Sequence, residues 1–162
     1  MSEMRSLNGP SGSQSRLSGR ALSSILEIDS WMPSKLEAIP PLINRLMLLI
    51  EGSQCVPGEE FVVELALREA LRNAVVHGKR EYPSVKIHIR CRCWPGKEVS
   101  IVVASKGKGF DFVNTGDGLI SDPFSEHARG MQLIRAYMDE VHFERDGLEV
   151  HMRKRSRTTA RS

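Results

Sequence analysis

The stretch that decides the fold runs from residue 59 to residue 78 and reads EEFVVELALREALRNAVVHG. Pro57 suits the first turn of a helix, where a missing N–H costs nothing, and Gly78 is a typical helix end. Between them apolar residues recur at helical spacing, namely Val63, Ala66, Leu67, Ala70, Leu71 and Ala74. The stretch therefore predicts one helix from Glu59 to Gly78 with an apolar stripe that faces a core.

Glu69 and Asn73 lie four residues apart and so share one face of this helix. The same face carries Val62, Ala66 and Val76, which places the polar pair at the edge of a core-facing surface. Polar groups there need partners, because an unpaired buried polar group costs stability. Magnesium prefers oxygen ligands and commonly shares them between protein and phosphates. The pair predicts a site for a magnesium-bound nucleotide, although this spacing alone also fits an ordinary polar edge.

Length and charge limit the classes of function. The 162 residues suit one domain with tails: a disordered leader over 1–20, a folded domain over 21–153 and a disordered basic tail over 154–162. The net charge of +3 is uneven, because the last ten residues carry +5 and the first twenty +2, which leaves residues 21–152 at −4. We therefore expect no nucleic-acid-binding face on the body, and the tail lacks aromatic residues for stacking.

The three cysteines are an odd number in a chain without a signal peptide, which predicts a reducing, cytoplasmic setting. Cys91 and Cys93 alternate along one predicted strand and would point to the same side. No CxxC motif or Cys/His quartet accompanies them, so we interpret them as small half-buried strand residues rather than metal ligands. No apolar run approaches the roughly 20 residues that span a bilayer.

The rest of the chain alternates between strand and helix patterns. The predicted elements are a strand Ala21–Trp31, a helix Pro41–Gly52, strands Pro83–Trp94 and Glu98–Ala104, a helix from about Ala128 to Asp139, and a hairpin of Val141–Arg145 and Leu148–Arg153 across Asp146-Gly147. This order predicts an α/β (α+β) two-layer sandwich, with helices on one face of a mixed, mainly antiparallel sheet.

Two glycine-containing segments could approach a ligand. Gly107 and Gly109 lie in GKGF directly after a strand, where glycine lets the backbone come close to a bound group. Ala128-Arg129-Gly130-Met131 follows a long polar segment and starts a helix, whose free N–H groups, with Arg129, could hold a phosphate. Each segment taken alone fits an ordinary turn or helix start equally well.

The ordered combination of these motifs is more specific. Glu69 with RNAVVHG, then GKGF, then RGMQLIRAYMDEV resembles the GHKL superfamily of histidine kinase, gyrase and Hsp90-like ATPase domains. Within it the chain is most similar to the small anti-sigma factors that are also serine-protein kinases, the RsbW-like group. The resemblance covers roughly Ile25 to Arg153 and implies a Bergerat-type ATP-binding fold.

The resemblance also implies roles for particular residues. Glu69 is then the general base and Asn73 the Mg²⁺ ligand, while Gly107 and Gly109 shape the adenine pocket. The other nucleotide-contacting positions are His77, Ser105, Arg129, Gly130 at the end of the lid, and Met131. Family members bind ATP with Mg²⁺, phosphorylate an anti-anti-sigma (STAS) partner on serine or threonine, and sequester a sigma factor. A homodimer is implied in the same way.

The chain departs from the family pattern at the adenine end. Ser105 stands where the family has an aspartate that accepts a hydrogen bond from adenine, Leu148 replaces the threonine of a Gly-Thr pair, and Ala128 replaces a lid glycine. Losing a charge-assisted bond of roughly 1.5–3 kcal/mol weakens binding about tenfold to a hundredfold. Lys106 and Lys108 could offset part of this loss. The alternative function is a catalytically weak or inactive module that regulates a partner by contact alone.

Overall fold

The computed structural model describes residues 24–78, 85–105, 126–145 and 149–158. The elements in chain order are β1 (Leu26–Pro33), a 3₁₀ turn (Leu36–Ala38), α1 (Ile39–Ser53), α2 (Glu60–Gly78), β2 (Lys86–Trp94), β3 (Glu98–Ser105), α3 (Glu126–Tyr137), β4 (Glu140–Glu144) and β5 (Glu149–Arg155). Several predictions fall outside the described residues: the leader, the roles of Lys106, Gly107, Lys108, Gly109 and Leu148, and the tail beyond residue 158.

The five strands form one sheet in the order β1-β2-β3-β5-β4. Each of these neighbouring pairs is antiparallel, so the described sheet has none of the parallel pairing that a mixed sheet would contain. The most apolar strand, β3, lies in the centre of the sheet. Burial alternates along β2, where Ile87, Ile89 and Cys91 are buried and His88 and Arg90 between them are not. The alternation shows that one face of the sheet is covered.

The helices cover that face and complete a two-layer sandwich, as predicted. Leu46 and Ile50 of α1 and Leu67 and Leu71 of α2 are fully buried, and Ile101 of β3 is buried with them. Charged side chains lie on the opposite face of the sheet, at strand positions that alternate with the buried residues. Cys91 and Cys93 do share a side, but both are 0% exposed rather than half-buried, because that side lies under the helices.

The starts of the first strand and of the first helix differ from the prediction for physical reasons. The first strand begins at Leu26 instead of Ala21, and Leu26 pairs with Cys93 near the end of β2, so its partner strand runs out there. The first helix begins at Ile39 instead of Pro41. Pro40 and Pro41 occupy its first turn, where a proline removes no hydrogen bond.

Part of the predicted basic tail belongs to the sheet. Lys154 and Arg155 are the last residues of β5, and Lys154 is only 3% exposed. Its Nζ donates a hydrogen bond to the carbonyl oxygen of Tyr137 at 2.9 Å and lies 3.5 Å from carboxylates of Glu59 and Asp139. Charge counting missed this position because the acidic partners are distant in sequence. Among the described residues, no helix is long and apolar enough to cross a membrane.

Candidate functional site

Glu69 and Asn73 lie in the middle of α2, one turn apart and partly exposed. The buried stripe of α2, which includes Leu67 and Leu71, fixes the rotation of the helix on the core. That rotation turns Glu69 and Asn73 away from the sheet and towards α3. The predicted shared face is therefore present, at the border between two packed helices.

Gly130 of α3 meets both side chains. A Cβ added to Gly130 would lie 2.9 Å from Oε2 of Glu69 and 3.3 and 3.4 Å from Nδ2 and Oδ1 of Asn73. A separation of 2.9 Å is too short for a carbon atom, so a larger residue would push Glu69 aside. The structure thus brings together three residues that the sequence predicted for one site, and glycine is the residue that allows this approach.

Asn73 is held in an environment that suits a ligand. Its Nδ2 atom is buried and makes no hydrogen bond to any other described residue. An unpaired buried amide costs about 1–3 kcal/mol, which a bound group with polar atoms would recover. The amide supplies one oxygen and one donor nitrogen beside the carboxylate of Glu69. These groups fit a magnesium ion with phosphates, with Asn73 as the residue that would hold the ion.

The start of α3 differs from the prediction. The helix begins at Glu126, two residues before Ala128, and Glu126 accepts a hydrogen bond from Arg72 of α2 at 2.9 Å. Because each N–H inside an α-helix bonds four residues back, Gly130 lies beyond the free N–H groups of the first turn. Anion binding by free N–H groups of α3 would therefore fall on residues 126–128. Arg129 is exposed, and Met131 is 6% exposed.

The remaining predicted positions are not brought to this point by any described contact. Ser105 is the last residue of β3, is 7% exposed, and lies on the same side of the sheet as Val103, beneath the helices. His77 lies in the last turn of α2, one turn after Asn73, and its side chain is outside the described residues, as are Gly107 and Gly109. The roles predicted for these residues stay predictions.

A second cluster was missed in the sequence. Glu144, Glu149 and His151 lie close together on the face of the sheet opposite the helices. The sequence contains a signal for it, because EVHFE and EVHMR flank a hairpin turn and a two-residue period places their charged residues on one face. The same alternation also identifies the two strands.

A carboxylate, a carboxamide and a glycine thus meet between α2 and α3 of a two-layer sandwich, an arrangement that suits an ATP-binding domain. The chain matches the family model of the histidine kinase-like ATPase domain over residues 32–154. It therefore belongs to that family, for which ATP binding is the defining property. No curated protein gives a significant match to the chain.

Proposed function

We propose that this chain is an ATP-dependent serine/threonine-protein kinase and anti-sigma factor of the RsbW-like type. It phosphorylates a STAS-type anti-anti-sigma partner and sequesters a sigma factor. The observation that carries the proposal is the contact of Glu69 and Asn73 with Gly130, which puts a candidate base and a candidate magnesium ligand at one point. The sequence resemblance to the stand-alone anti-sigma kinases supplies the class of partner.

The residues have distinct tasks in this function. Asn73 would hold the magnesium ion, which when bound neutralises phosphate charge and fixes the orientation of the phosphates. Glu69 accepts the proton of the partner's hydroxyl while that oxygen forms a bond to the γ-phosphorus. The bond from this phosphorus to the bridging oxygen breaks, and ADP leaves with the electron pair. Gly130 has no side chain and so leaves room for the side chains of Glu69 and Asn73 at this point of α3.

The alternative is a binding module with the same fold and weak or no phosphotransfer. Ser105 favours it, because a buried, short and uncharged hydroxyl stands where the related kinases carry the aspartate that recognises adenine. In this case the chain would regulate its partner by contact alone.

Titration of Mg-ATP into the purified chain, followed by calorimetry, distinguishes the two functions. We expect micromolar binding by the natural sequence and its loss in Asn73→Ala. The matched control is Arg68→Ala, which removes an exposed side chain of α2 that pairs with Glu64 at 2.7 Å. Undetectable binding at millimolar ATP would refute the kinase proposal.

The catalytic assignment has its own experiment. Glu69→Ala should retain Mg-ATP binding but lose transfer of labelled phosphate to a STAS-domain protein, because only the proton acceptor is removed. If the variant transfers phosphate at the natural rate, Glu69 is not the general base. Transfer to the STAS protein by the natural sequence, with none to a variant lacking its acceptor hydroxyl, defines serine/threonine specificity.

A further inference from the structure

The face of the sheet opposite the helices carries a block of ligating side chains on β4 and β5. In the register of these strands His142 faces His151 and Glu144 faces Glu149. Residues two apart on a strand point the same way, so all four lie on one face. Val150 and Met152, which alternate with them, are buried beneath the helices, so this block lies on the outer face.

Three of these side chains converge. Single ligand atoms of Glu144, Glu149 and His151 all lie within 4.8 Å of one another. Nε2 of His151 is 2.7 Å from Oε1 of Glu149 and 3.5 Å from Oε2 of Glu144. Ligands bound at about 2.0–2.1 Å around a tetrahedral ion are separated by roughly 3.3 Å. Rotations of side chains alone are therefore enough to place a metal ion between the three.

We infer that Glu144, Glu149 and His151 form a binding site for a divalent transition-metal ion of the Zn²⁺ type. Glu149 and His151, two residues apart on β5, and Glu144, directly across from Glu149 on β4, supply three ligands from one face of the sheet, and water fills the remaining coordination position. An imidazole beside two carboxylates selects a transition metal over Mg²⁺ or Ca²⁺, which prefer oxygen ligands.

The charges around the site fit this assignment. Glu144 and Glu149 are directly opposed, and two carboxylates in that position repel each other. Arg145, whose Nη1 atom is 3.5 Å from Glu149, and Arg90, which also acts electrostatically on Glu149, reduce the repulsion. A divalent cation removes it directly. Glu149 and His151 are 18% and 35% exposed, so they are partly preorganised, whereas Glu144 is 59% exposed and free to move onto the ion.

This site does not depend on the proposed kinase function. It lies on the outer face of the sheet, whereas Glu69 and Asn73 lie between the helices that cover the inner face. A metal ion held here joins β4 to β5 across their hairpin. Because these three ligands meet only in the folded chain, a metal ion bound to them favours the folded state. The test therefore needs neither a nucleotide nor a partner protein.

The test is a titration of Zn²⁺ into chelator-treated, tag-free protein, read by calorimetry, with visible absorption of bound Co²⁺ as a second measure of the ligand set. We expect one site per chain. His151→Ala and the isosteric Glu149→Gln should each weaken Zn²⁺ binding at least about tenfold. Even replacing a residue that only hydrogen-bonds to a metal ligand typically lowers metal affinity by that factor. The matched control is His88→Gln, because His88 is on the same face, bonded to Asp29 at 2.7 Å, outside the three ligands.

Two results would overturn the inference. One is the absence of saturable binding below about 100 µM Zn²⁺. A dissociation constant of that size corresponds to a binding free energy of only about −5.5 kcal/mol. The other is unchanged binding by His151→Ala and Glu149→Gln, which would place the ion elsewhere on the chain. Circular dichroism of each variant establishes that it is folded, so that weaker binding reports the loss of a ligand.

Discussion

Lys154 shows how much a single residue can depend on distant partners. Its ammonium group is nearly buried between the carbonyl oxygen of Tyr137 and the carboxylates of Glu59 and Asp139. A cation in this position is stable only because oxygen atoms surround it. It ties the end of β5 to the start of α2 and the end of α3, and it is therefore a structural residue.

Replacing this cation should destabilise the fold. Lys154→Met keeps most of the apolar stem but removes the hydrogen bond to the carbonyl oxygen of Tyr137 and the buried positive charge beside Glu59 and Asp139. We therefore expect a loss of about 3 kcal/mol in the free energy of unfolding. Urea denaturation measures it. The control is Arg157→Ala, since Arg157 also pairs with Glu59, at 3.0 Å, but is 75% exposed and should cost about 1 kcal/mol or less. Equal losses in the two variants would contradict the structural role of Lys154.

Gly130 and Gly52 are both helical glycines with opposite surroundings. Gly130→Ala should weaken Mg-ATP binding at least about tenfold, because the new Cβ displaces Glu69 and disturbs Asn73. Gly52→Ala meets no atom within 4 Å and should instead stabilise α1 by up to about 1 kcal/mol without changing binding. Calorimetry and urea denaturation measure the two effects. Natural ATP affinity in Gly130→Ala would show that this contact does not border the nucleotide.

At the scale of elements, the packing of helices on the sheet determines the chemistry of the thiols. Cys55, just after α1, and Cys93 of β2 are both 0% exposed. A hydrogen bond with Cys93, together with burial, raises the pKa of Cys55. For Cys93, the bond with Cys55 favours the thiolate, but contact with Cys91 and burial outweigh it and raise the pKa to about 12.

These thiols should be unreactive in the folded protein. At pH 8 they are protonated and covered, and only the thiolate attacks a disulfide reagent. We expect a thiol-specific chromogenic disulfide to react with three thiols per chain after denaturation and with none on the same time scale before it. The reagent's reaction with free cysteine is the positive control. Rapid labelling of the native chain would show that α1 opens from the sheet far more often than this packing allows.

The pairing of β1 with β2 has a pH dependence that can be measured. Hydrogen bonds from His88 and Arg90 lower the pKa of Asp29 below its ordinary 3.8. A lowered folded-state pKa contributes stability above the ordinary value, and that contribution disappears as the pH falls through the folded-state pKa. Asp29→Asn should therefore be less stable than the natural sequence at pH 7, and the difference should shrink below pH 3.8. A stability difference between the two proteins that grows as the pH falls would contradict the lowered pKa of Asp29.

At the scale of the whole molecule, the end of β5 links the edge strand β4 to β3. Removing residues 153–162 deletes Lys154 and breaks the pairing of Arg153, Lys154 and Arg155 with Glu98–Ser100 of β3. We expect the truncation to lower the free energy of unfolding by more than Lys154→Met does. The truncation should thus remove a large part of the roughly 5–15 kcal/mol that stabilises a domain. Truncation after Thr158 keeps every described contact of β5 and is the control. Thermal denaturation, followed by circular dichroism, compares the two truncated chains. Similar midpoints would show that residues 153–158 do not stabilise the sheet.

Only the part of the candidate site that lies within one helix could be predicted from the sequence. Glu69 and Asn73 had to share a face, because a helix repeats every 3.6 residues. Their meeting with Gly130 depends on how α3 packs on α2, which local periodicity does not contain. The earlier start of α3 was missed for the same reason, since Glu126 bonds to Arg72, 54 positions away in sequence.

The sequence by itself determined the elements and the class of the fold, because hydrophobic periods of 3.6 and 2 are local and the glycine and proline signals mark the turns between them. It also carried the motifs of a histidine kinase-like ATPase domain. Only the tertiary structure decided which residues meet: Gly130 with the Glu69–Asn73 pair, Lys154 with its acidic partners, and Glu144 with Glu149 and His151 on the outer face. Those contacts depend on strand register and on helix packing, which join residues that no local pattern relates.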